Sequence, residues 1–163
     1  GGVWVGWAHQ EPDGRWQPFT FQGATQPADD LQLCADLDHD GDLDFVFTCP
    51  LGSGVLWNLG RPSAREPIEW ERRPMAGSLA EARAAAADLD GDGDLDLAVS
   101  GDGDRSVYWL EQKGNGTFVL NNLPNAVGYG QAGGQLAIDL NRDGINEMVF
   151  SSFDKNALSF WKR

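Results

Sequence analysis

Short apolar stretches separated by polar turns make up most of the chain, and this pattern predicts β-strands. The stretches are about five residues long, rich in β-branched and aromatic residues, and bounded by Gly, Asn and Pro. They recur in groups of four. One stretch leads into an acidic segment, one leaves it, a third carries a VxW-like pattern, and a fourth is preceded by a polar turn such as KGNG. Thirteen strands can be counted in this way, which places the chain in the all-β class.

One segment, SLAEARAAAAD at residues 78–88, departs from this pattern because its residues favour a helix on intrinsic propensity. It aligns, however, with the stretches that lead into the other acidic segments. The alignment therefore predicts that its last residues form an inner strand, where close packing favours small side chains.

The acidic segments mark an internal repeat. ADLDHDGDLDFVF, ADLDGDGDLDLAV and IDLNRDGINEMVF have their first aspartates at Asp36, Asp88 and Asp139, which are 52 and 51 residues apart. Aromatic residues of the VxW-like stretches keep a similar step, at Trp4, Trp57, Trp109 and Phe160. A period of about 52 residues is typical of propeller blades and related arrays.

The repeats predict a β-propeller-type array of four-stranded antiparallel blades, with about three blades in a single region, residues 1–163. We place the units at about residues 3–53, 54–105 and 106–156, with 157–163 starting the next. Counted in strands, the chain holds the last two strands of one blade, two complete blades and three strands of another. Propellers close with roughly four to eight blades. Three arrangements stay open: a part of a larger propeller, half of a two-chain ring, and an open arc covered by a partner. We favour assembly with further blades.

The negative charge of the chain is concentrated rather than spread. Its formal net charge is −13, and 13 of its 25 acidic residues lie in residues 36–44, 88–96 and 139–147. Such clustering indicates a bound cation. Nucleic acid is not expected as a partner, because no Lys/Arg cluster is available to neutralise phosphates. No transmembrane segment is expected either, since no apolar run approaches the ~20 residues that cross a bilayer.

The spacing within each acidic segment predicts a Ca²⁺-binding loop. Residues with side-chain oxygens occupy positions 1, 3, 5 and 9, and position 6 is glycine in all three copies. Calcium takes six to eight oxygen ligands, and the glycine allows a sharp turn that lets position 7 offer its backbone carbonyl. The predicted ligands are Asp36, Asp38, Asp40, Asp42 and Asp44 in loop 1 (residues 36–44), Asp88, Asp90, Asp92, Asp94 and Asp96 in loop 2 (residues 88–96), and Asp139, Asn141, Asp143, Ile145 and Glu147 in loop 3 (residues 139–147).

Other cations and other loop types fit this spacing less well. Mg²⁺ prefers a rigid octahedron with several retained waters, and Zn²⁺ prefers Cys and His ligands. An EF-hand needs an acidic residue at position 12 and flanking helices, whereas position 12 here is Phe47, Val99 or Phe150. The remaining alternative is a solvated acidic turn without metal, which three copies in register disfavour. Loop 3 is expected to bind most weakly, because Asn141 leaves it one fewer formal charge among the side chains at positions 1, 3, 5 and 9.

The loop motif, repeated every 52 residues with VxW and GxGxF-like strands, resembles FG-GAP/VCBS repeats over nearly the whole chain. Such repeats form the propeller of integrin α subunits and occur in certain lectins and in many secreted bacterial proteins. The resemblance implies about three structural Ca²⁺ ions at one rim of a propeller. It also implies an adhesion or assembly module that binds another protein outside the cell, in the periplasm or at the cell surface. Carbohydrate binding and an accessory role in a larger secreted enzyme stay open as alternatives.

The remaining candidate residues add little chemistry. Cys34 and Cys49 flank loop 1, and the other repeats carry small residues at both positions. This pattern favours a local disulfide and an oxidising compartment, with two free thiols as the alternative. Neither His9 nor His39 belongs to a nucleophile–base arrangement, and no phosphate-binding loop is recognisable, so we expect no enzyme activity.

The tryptophans divide into two groups. Trp4, Trp57 and Trp109 keep the repeat spacing and are expected to pack between blades. Trp7 and Trp161 break that spacing, which makes them candidates for a surface role.

Overall fold

A computed structural model describes residues 6–20, 30–48, 53–60, 68–75, 82–101, 106–114, 116–124 and 130–162. Within these residues the chain forms thirteen β-strands and no helix. None of the described residues therefore forms an apolar helix that could cross a membrane. The strands are β1 Gly6–Gln10, β2 Trp16–Thr20, β3 Asp30–Ala35, β4 Asp44–Thr48, β5 Gly54–Asn58, β6 Trp70–Pro74, β7 Ala82–Ala87, β8 Asp96–Gly101, β9 Val107–Gln112, β10 Phe118–Leu123, β11 Ala132–Ile138, β12 Glu147–Ser152 and β13 Leu158–Trp161.

The strands form four antiparallel sheets in which each strand pairs with its neighbour in sequence. Sheet 1 contains β1 and β2, sheet 2 contains β3 to β6, sheet 3 contains β7 to β10, and sheet 4 contains β11 to β13. This succession of two, four, four and three strands is the one that the sequence pattern predicts. The all-β fold built from four-stranded antiparallel units is thereby confirmed.

The alanine-rich segment is a strand, as the repeat alignment predicted against its helix propensity. β7 pairs with β8 over its whole length, with Ala84 opposite Val99 and Ala86 opposite Leu97. It also lies beside β3 of sheet 2 and β11 of sheet 4. Small side chains suit this central position, because β7 must approach two neighbouring sheets at once.

The cores of the molecule lie between successive sheets. Alternation along β8 illustrates this: Leu97 and Val99 pack towards sheet 2, whereas Ala98 packs towards sheet 4. One cluster, between sheets 2 and 3, contains Leu37, Val46, Val55, Trp57, Met75, Leu97, Val99 and Leu110. The next cluster, between sheets 3 and 4, contains Ala87, Leu89, Ala98, Val107, Ala132, Met148 and Phe150. The apolar stretches of the sequence are thus the packed faces of adjacent sheets.

Two tryptophans pack between sheets as predicted, but their 52-residue spacing does not follow the strand register. Trp57 is 2% exposed within the cluster between sheets 2 and 3 and lies opposite Glu71 of β6. Trp109 is half-buried against the cluster between sheets 3 and 4. It lies opposite Ala98, which is position 11 when loop 2 is numbered from Asp88. In sheet 2 the corresponding residue of β5 is Val55, two residues before Trp57. Val55 comes nine residues after its partner Val46, whereas Trp109 comes eleven residues after its partner Ala98. Because the two hairpins pair with this offset of two residues, the 52-residue spacing of the aromatics does not match the strand register.

The expected surface role of Trp161 is wrong in this structure. Its ring packs edge-on against Phe150, with ring centroids 5.3 Å apart, and it is half-buried beside the cluster between sheets 3 and 4. The reason is the register of β12 and β13, which places Trp161 opposite Met148 on the packed face of the sheet. Trp4 and the side chain of Trp7 lie outside the described part of the chain.

The strand register bears on the predicted disulfide. Cys34 lies opposite Phe45, whereas Thr48, the residue before Cys49, lies opposite Asp30. Phe45, the partner of Cys34, comes three residues before Thr48 on β4, which corresponds to about 10 Å along the strand. This spacing does not favour a direct bridge across the hairpin, because bridged Cα atoms are usually 4.4–6.8 Å apart. Cys49 itself lies outside the described residues, so the pairing stays a prediction.

Candidate metal centres

The three acidic loops occupy the same place in three sheets. Each joins the first strand to the second: loop 1 lies between β3 and β4, loop 2 between β7 and β8, and loop 3 between β11 and β12. In each copy the residue at position 9 is the first residue of the second strand. Each acidic loop therefore ends on the first residue of a strand, whose pairing fixes the position of the last carboxylate.

One hydrogen-bond pattern recurs in all three loops. The carboxylate at position 1 accepts the N–H of the glycine at position 6, over 3.1 Å, 3.1 Å and 2.8 Å in loops 1, 2 and 3. The carboxylate at position 5 accepts the N–H of position 7, over 2.8 Å, 3.0 Å and 3.1 Å. These bonds curl each loop around its own acidic side chains.

Glycine at position 6 has the role that its spacing predicted. Its φ angle is +94° in loop 1, +97° in loop 2 and +88° in loop 3, a left-handed conformation that other residues rarely adopt. Position 4 is left-handed as well, with φ of +60° at His39 and +63° at Arg142. This second left-handed position was missed, because only Gly91 of loop 2 signals it in the sequence.

The aspartates at position 9 have a second role that the spacing did not reveal. Asp44 is fully buried; its Oδ2 accepts the N–H of Leu37 at 2.9 Å, and its Oδ1 accepts the N–H of Asn58 at 2.9 Å. Burial raises the pKa of Asp44 to about 6, against the lowering effect of these two hydrogen bonds. The carboxylate thereby joins loop 1 to the end of β5.

Asp96 of loop 2 repeats this arrangement. It is also fully buried, and it accepts the N–H of Leu89 at 3.1 Å and that of Gln112 at 2.8 Å. Burial raises the pKa of this carboxyl too. The repeat shows that the strand-end residues Asn58 and Gln112 belong to the loop architecture, although neither carries a metal-binding signal in the sequence.

Loops 1 and 2 bring acidic oxygens together in a way that fits a divalent cation. Ligand atoms of Asp36, Asp38 and Asp40 lie within 4.8 Å of one another in loop 1. In loop 2 the residues that converge are Asp88, Asp90 and Asp96. The predicted ligands Asp44 and Asp92 fall outside these two groups, and for Asp42 and Asp94 the expected ligand is the backbone carbonyl. The two loops thus share positions 1 and 3 and differ in the third carboxylate.

One atom in loop 1 supports a bound cation independently of the spacing. The Oδ1 of Asp36 is buried and has no hydrogen-bond partner among the described residues. A buried carboxylate oxygen without a partner is costly, and ions are among the partners that relieve this cost. The hard-oxygen character of its neighbours suits Ca²⁺.

Loop 3 differs from the other two. Its acidic residues Asp139, Asp143 and Glu147 do not form a group of the kind seen in loops 1 and 2. The side-chain amide of Asn141 donates to Glu147 Oε1 at 3.3 Å, and the ammonium of Lys162 contacts both Asp143 and Glu147. The predicted loop 3 ligands therefore lie close together, but a cation from the chain itself is among them.

Hydrogen bonds connect the loops along one rim of the sheets. The His39 Nε2 of loop 1 lies 3.0 Å from the carbonyl of Gly93 in loop 2. The Asn146 Nδ2 of loop 3 donates to the carbonyl of Asp88 in loop 2 at 2.8 Å. The three candidate centres are thus neighbours on a shared edge.

Four successive antiparallel sheets, three of which have an acidic loop after their first strand, define a protein built of propeller-type blades. The family model of the FG-GAP-like repeat matches residues 36–99 and 88–150, which together make up more than half of the chain. The chain therefore belongs to the FG-GAP-like repeat family, whose repeats are propeller blades. Neither the comparison with curated proteins nor that with solved structures gives a match.

Proposed function

We propose that this chain is a non-catalytic, calcium-binding β-propeller module that mediates protein–protein interaction or assembly outside the cytoplasm. Repeats of this family often bind Ca²⁺ and often serve as interaction modules. The observation that carries the calcium proposal is the buried, partnerless oxygen of Asp36 beside the carboxylates of Asp38 and Asp40.

The carboxylates of loops 1 and 2 would hold the ions, with positions 1 and 3 common to both loops. Calcium would supply the positive charge that offsets their mutual repulsion, so that its binding free energy adds to folding free energy. The role is structural, because each loop connects two strands of one blade. An extracellular, periplasmic or cell-surface location fits this role, since extracellular modules use weak calcium sites of similar chemistry.

An exposed apolar face on blade 4 (sheet 4) supports the assembly role. Leu136 of β11 and Phe160 of β13 both lie opposite Val149 of β12, on the face turned away from blade 3 (sheet 3). Their exposed fractions are 60% and 59%, whereas apolar side chains on the corresponding faces of sheets 2 and 3, such as Val46 and Trp109, pack between blades. We infer that another blade-type sheet, from a partner chain or from further blades, covers this face.

Carbohydrate binding stays a prediction. A cleft of about 410 Å³ lies between blades 2 and 3 (sheets 2 and 3) and is lined in part by Trp57, Arg73 and Phe118. The Trp57 ring is only 2% exposed there, so it does not offer a stacking surface for a sugar. We therefore keep protein interaction as the proposed function.

Thermal unfolding in millimolar Ca²⁺ and in EDTA tests the calcium proposal. At 100 times its dissociation constant, one ion adds about 2.7 kcal/mol of stability, which corresponds to roughly 5–10 °C in Tm for a domain of this size. Asp38→Asn should reduce the shift because it weakens loop 1. Asp13→Asn, which changes an exposed aspartate outside the loops, is the matched control and should leave the shift unchanged. Identical unfolding curves in Ca²⁺ and EDTA would overturn the proposal.

A further inference from the structure

A lysine side chain lies among the carboxylates of loop 3. Lys162 follows β13, and its Nζ is 3.0 Å from Glu147 Oε1 while also contacting Asp143 Oδ2. These two carboxylates occupy positions 9 and 5. The third carboxylate of the converging group is at position 5 in loop 1 (Asp40) and at position 9 in loop 2 (Asp96). The ammonium thus binds carboxylates that the other loops direct towards a metal ion.

The oxygens of loop 3 already have donors from the chain. Glu147 is 6% exposed; its Oε1 accepts from Lys162 and from the Asn141 amide, and its Oε2 accepts the N–H of Leu140 at 2.9 Å. The two oxygens of Asp139 accept the N–H groups of Asp143 at 3.1 Å and Gly144 at 2.8 Å. Loop 3 therefore shows no buried, partnerless oxygen comparable to that of Asp36.

The basic residue at this register position is particular to blade 4. Met148 is position 10 when loop 3 is numbered from Asp139, and Trp161 lies opposite it. Lys162 is the next residue after Trp161. In sheets 2 and 3 the residues opposite position 10 are Leu56 and Leu110. The residues that follow them, and so correspond to Lys162, are Trp57 and Glu111. Neither is a cation. Loop 3 also has only three formal negative charges where loops 1 and 2 have five each, so a single ammonium neutralises a larger share of them.

We propose that the ammonium of Lys162 is the built-in counter-ion of loop 3 and excludes a divalent cation from it, so that Ca²⁺ binds at loops 1 and 2 only. This inference rests on the proposed calcium-binding function of those two loops, and it replaces the expectation of about three sites by two. A tethered ammonium is present at any calcium concentration, so blade 4 keeps its loop closed when calcium is scarce. A divalent ion would have to displace the lysine from both carboxylates.

Counting bound ions in matched lysine variants tests the proposal. Lys162→Met removes the charge and keeps the length of the side chain. Lys155→Met is the control, because Lys155 pairs with Asp154 at 3.9 Å and lies outside the loops. Native mass spectrometry and isothermal titration with CaCl₂ should give two ions for the wild type and for Lys155→Met, and three for Lys162→Met. Adding Asp139→Asn to Lys162→Met should restore two, which would place the extra ion in loop 3.

The outcomes separate this proposal from the proposed function. Three ions in the wild type, or equal numbers in the wild type and Lys162→Met, would overturn the role of Lys162. A wild type that binds no ion would refute the calcium function, while the gain of one ion in Lys162→Met would still support the lysine as the excluding group. If Lys162→Met does not fold, Lys162→Gln provides a second uncharged variant for the same count. A gain of one ion in Lys162→Arg, which retains the charge, would also contradict the proposal.

Discussion

Replacing Asp96 by asparagine tests whether the last carboxylate of loop 2 holds its blade together without a metal ion. Asp96 is fully buried, and its two oxygens accept the N–H groups of Leu89 at 3.1 Å and Gln112 at 2.8 Å. Asparagine has the same shape but only one acceptor oxygen. Its amide nitrogen would therefore face one of these two backbone donors, leaving that donor buried without a partner.

The size of the effect follows from these two bonds. A hydrogen bond to a charged group contributes about 1.5–3 kcal/mol, and a buried donor left unpaired costs about 1–3 kcal/mol. Part of the loss is offset, because asparagine does not require the burial of a charge, and burial raises the pKa of Asp96. We expect Asp96→Asn to lower the free energy of unfolding by about 2 kcal/mol, which corresponds to roughly 4–8 °C in Tm.

Thermal unfolding followed by circular dichroism in EDTA measures this loss without contributions from calcium. Asp92→Asn is the matched control in the same loop. Its side chain is exposed and, within the part of the chain that the structure describes, accepts only the N–H of Asp94 at 3.0 Å, a bond that asparagine can keep. The control should change the free energy of unfolding by less than about 0.5 kcal/mol in EDTA. Equal losses in the two variants would refute the reasoning, as would a wild type that shows no cooperative unfolding in EDTA.

Two further predictions concern a close contact and a pH dependence. An alanine Cβ at Gly116, where φ is +68°, would lie 2.5 Å from Cζ2 of Trp57, whereas at Gly114, with φ of +69°, its nearest neighbour is 3.8 Å away. Gly116→Ala should therefore be less stable than Gly114→Ala by about 1–3 kcal/mol in urea unfolding, and equal stabilities would contradict the packing of Trp57. In the folded protein, burial raises the pKa of Asp44 to about 6. In EDTA, between pH ~4 and 6, this carboxyl is therefore still largely protonated in the folded protein but already ionised in the unfolded chain, so the folded protein binds more protons. The stability due to Asp44 should be greatest below pH 4 and fall as the pH rises through 6, and Asp44→Asn should remove this slope from urea midpoints measured between pH 4.5 and 7.

The strands and the loop glycines were predictable because both depend on short-range chemistry. The period of two along β8 assigns Leu97 and Ala98 to opposite packed faces, and this alternation can be read directly from the sequence. Position 6 of the acidic loops needs a left-handed residue, and glycine is the residue that adopts that conformation at no steric cost. Even the helix-like alanines of β7 were assigned correctly, because the repeat supplied the context that propensity lacks.

The features that sequence reasoning missed depend on distant residues or on connection length. Trp57 and Trp109 are 52 residues apart, yet they occupy different register positions because the pairing of β4 with β5 differs by two residues from that of β8 with β9. Lys162 contacts a carboxylate 19 residues earlier, and no motif marks it as a partner of loop 3. The second role of Asp44 depends on the backbone N–H of Asn58, which is invisible in a pattern of side chains.

Gln112 shows why the loops and blades do not behave as independent units. Its backbone N–H binds Asp96 of loop 2 at 2.8 Å, and its side-chain Nε2 donates to the carbonyl of Leu37 in loop 1 at 2.7 Å. Because Gln112 is almost completely buried, both bonds must be kept or replaced when either loop rearranges. The N–H of the same Leu37 is held by Asp44. A change at Asp44 therefore reaches Asp96 through the backbone of Leu37 and through Gln112, so the stability of one blade includes a contribution from the loop of its neighbour.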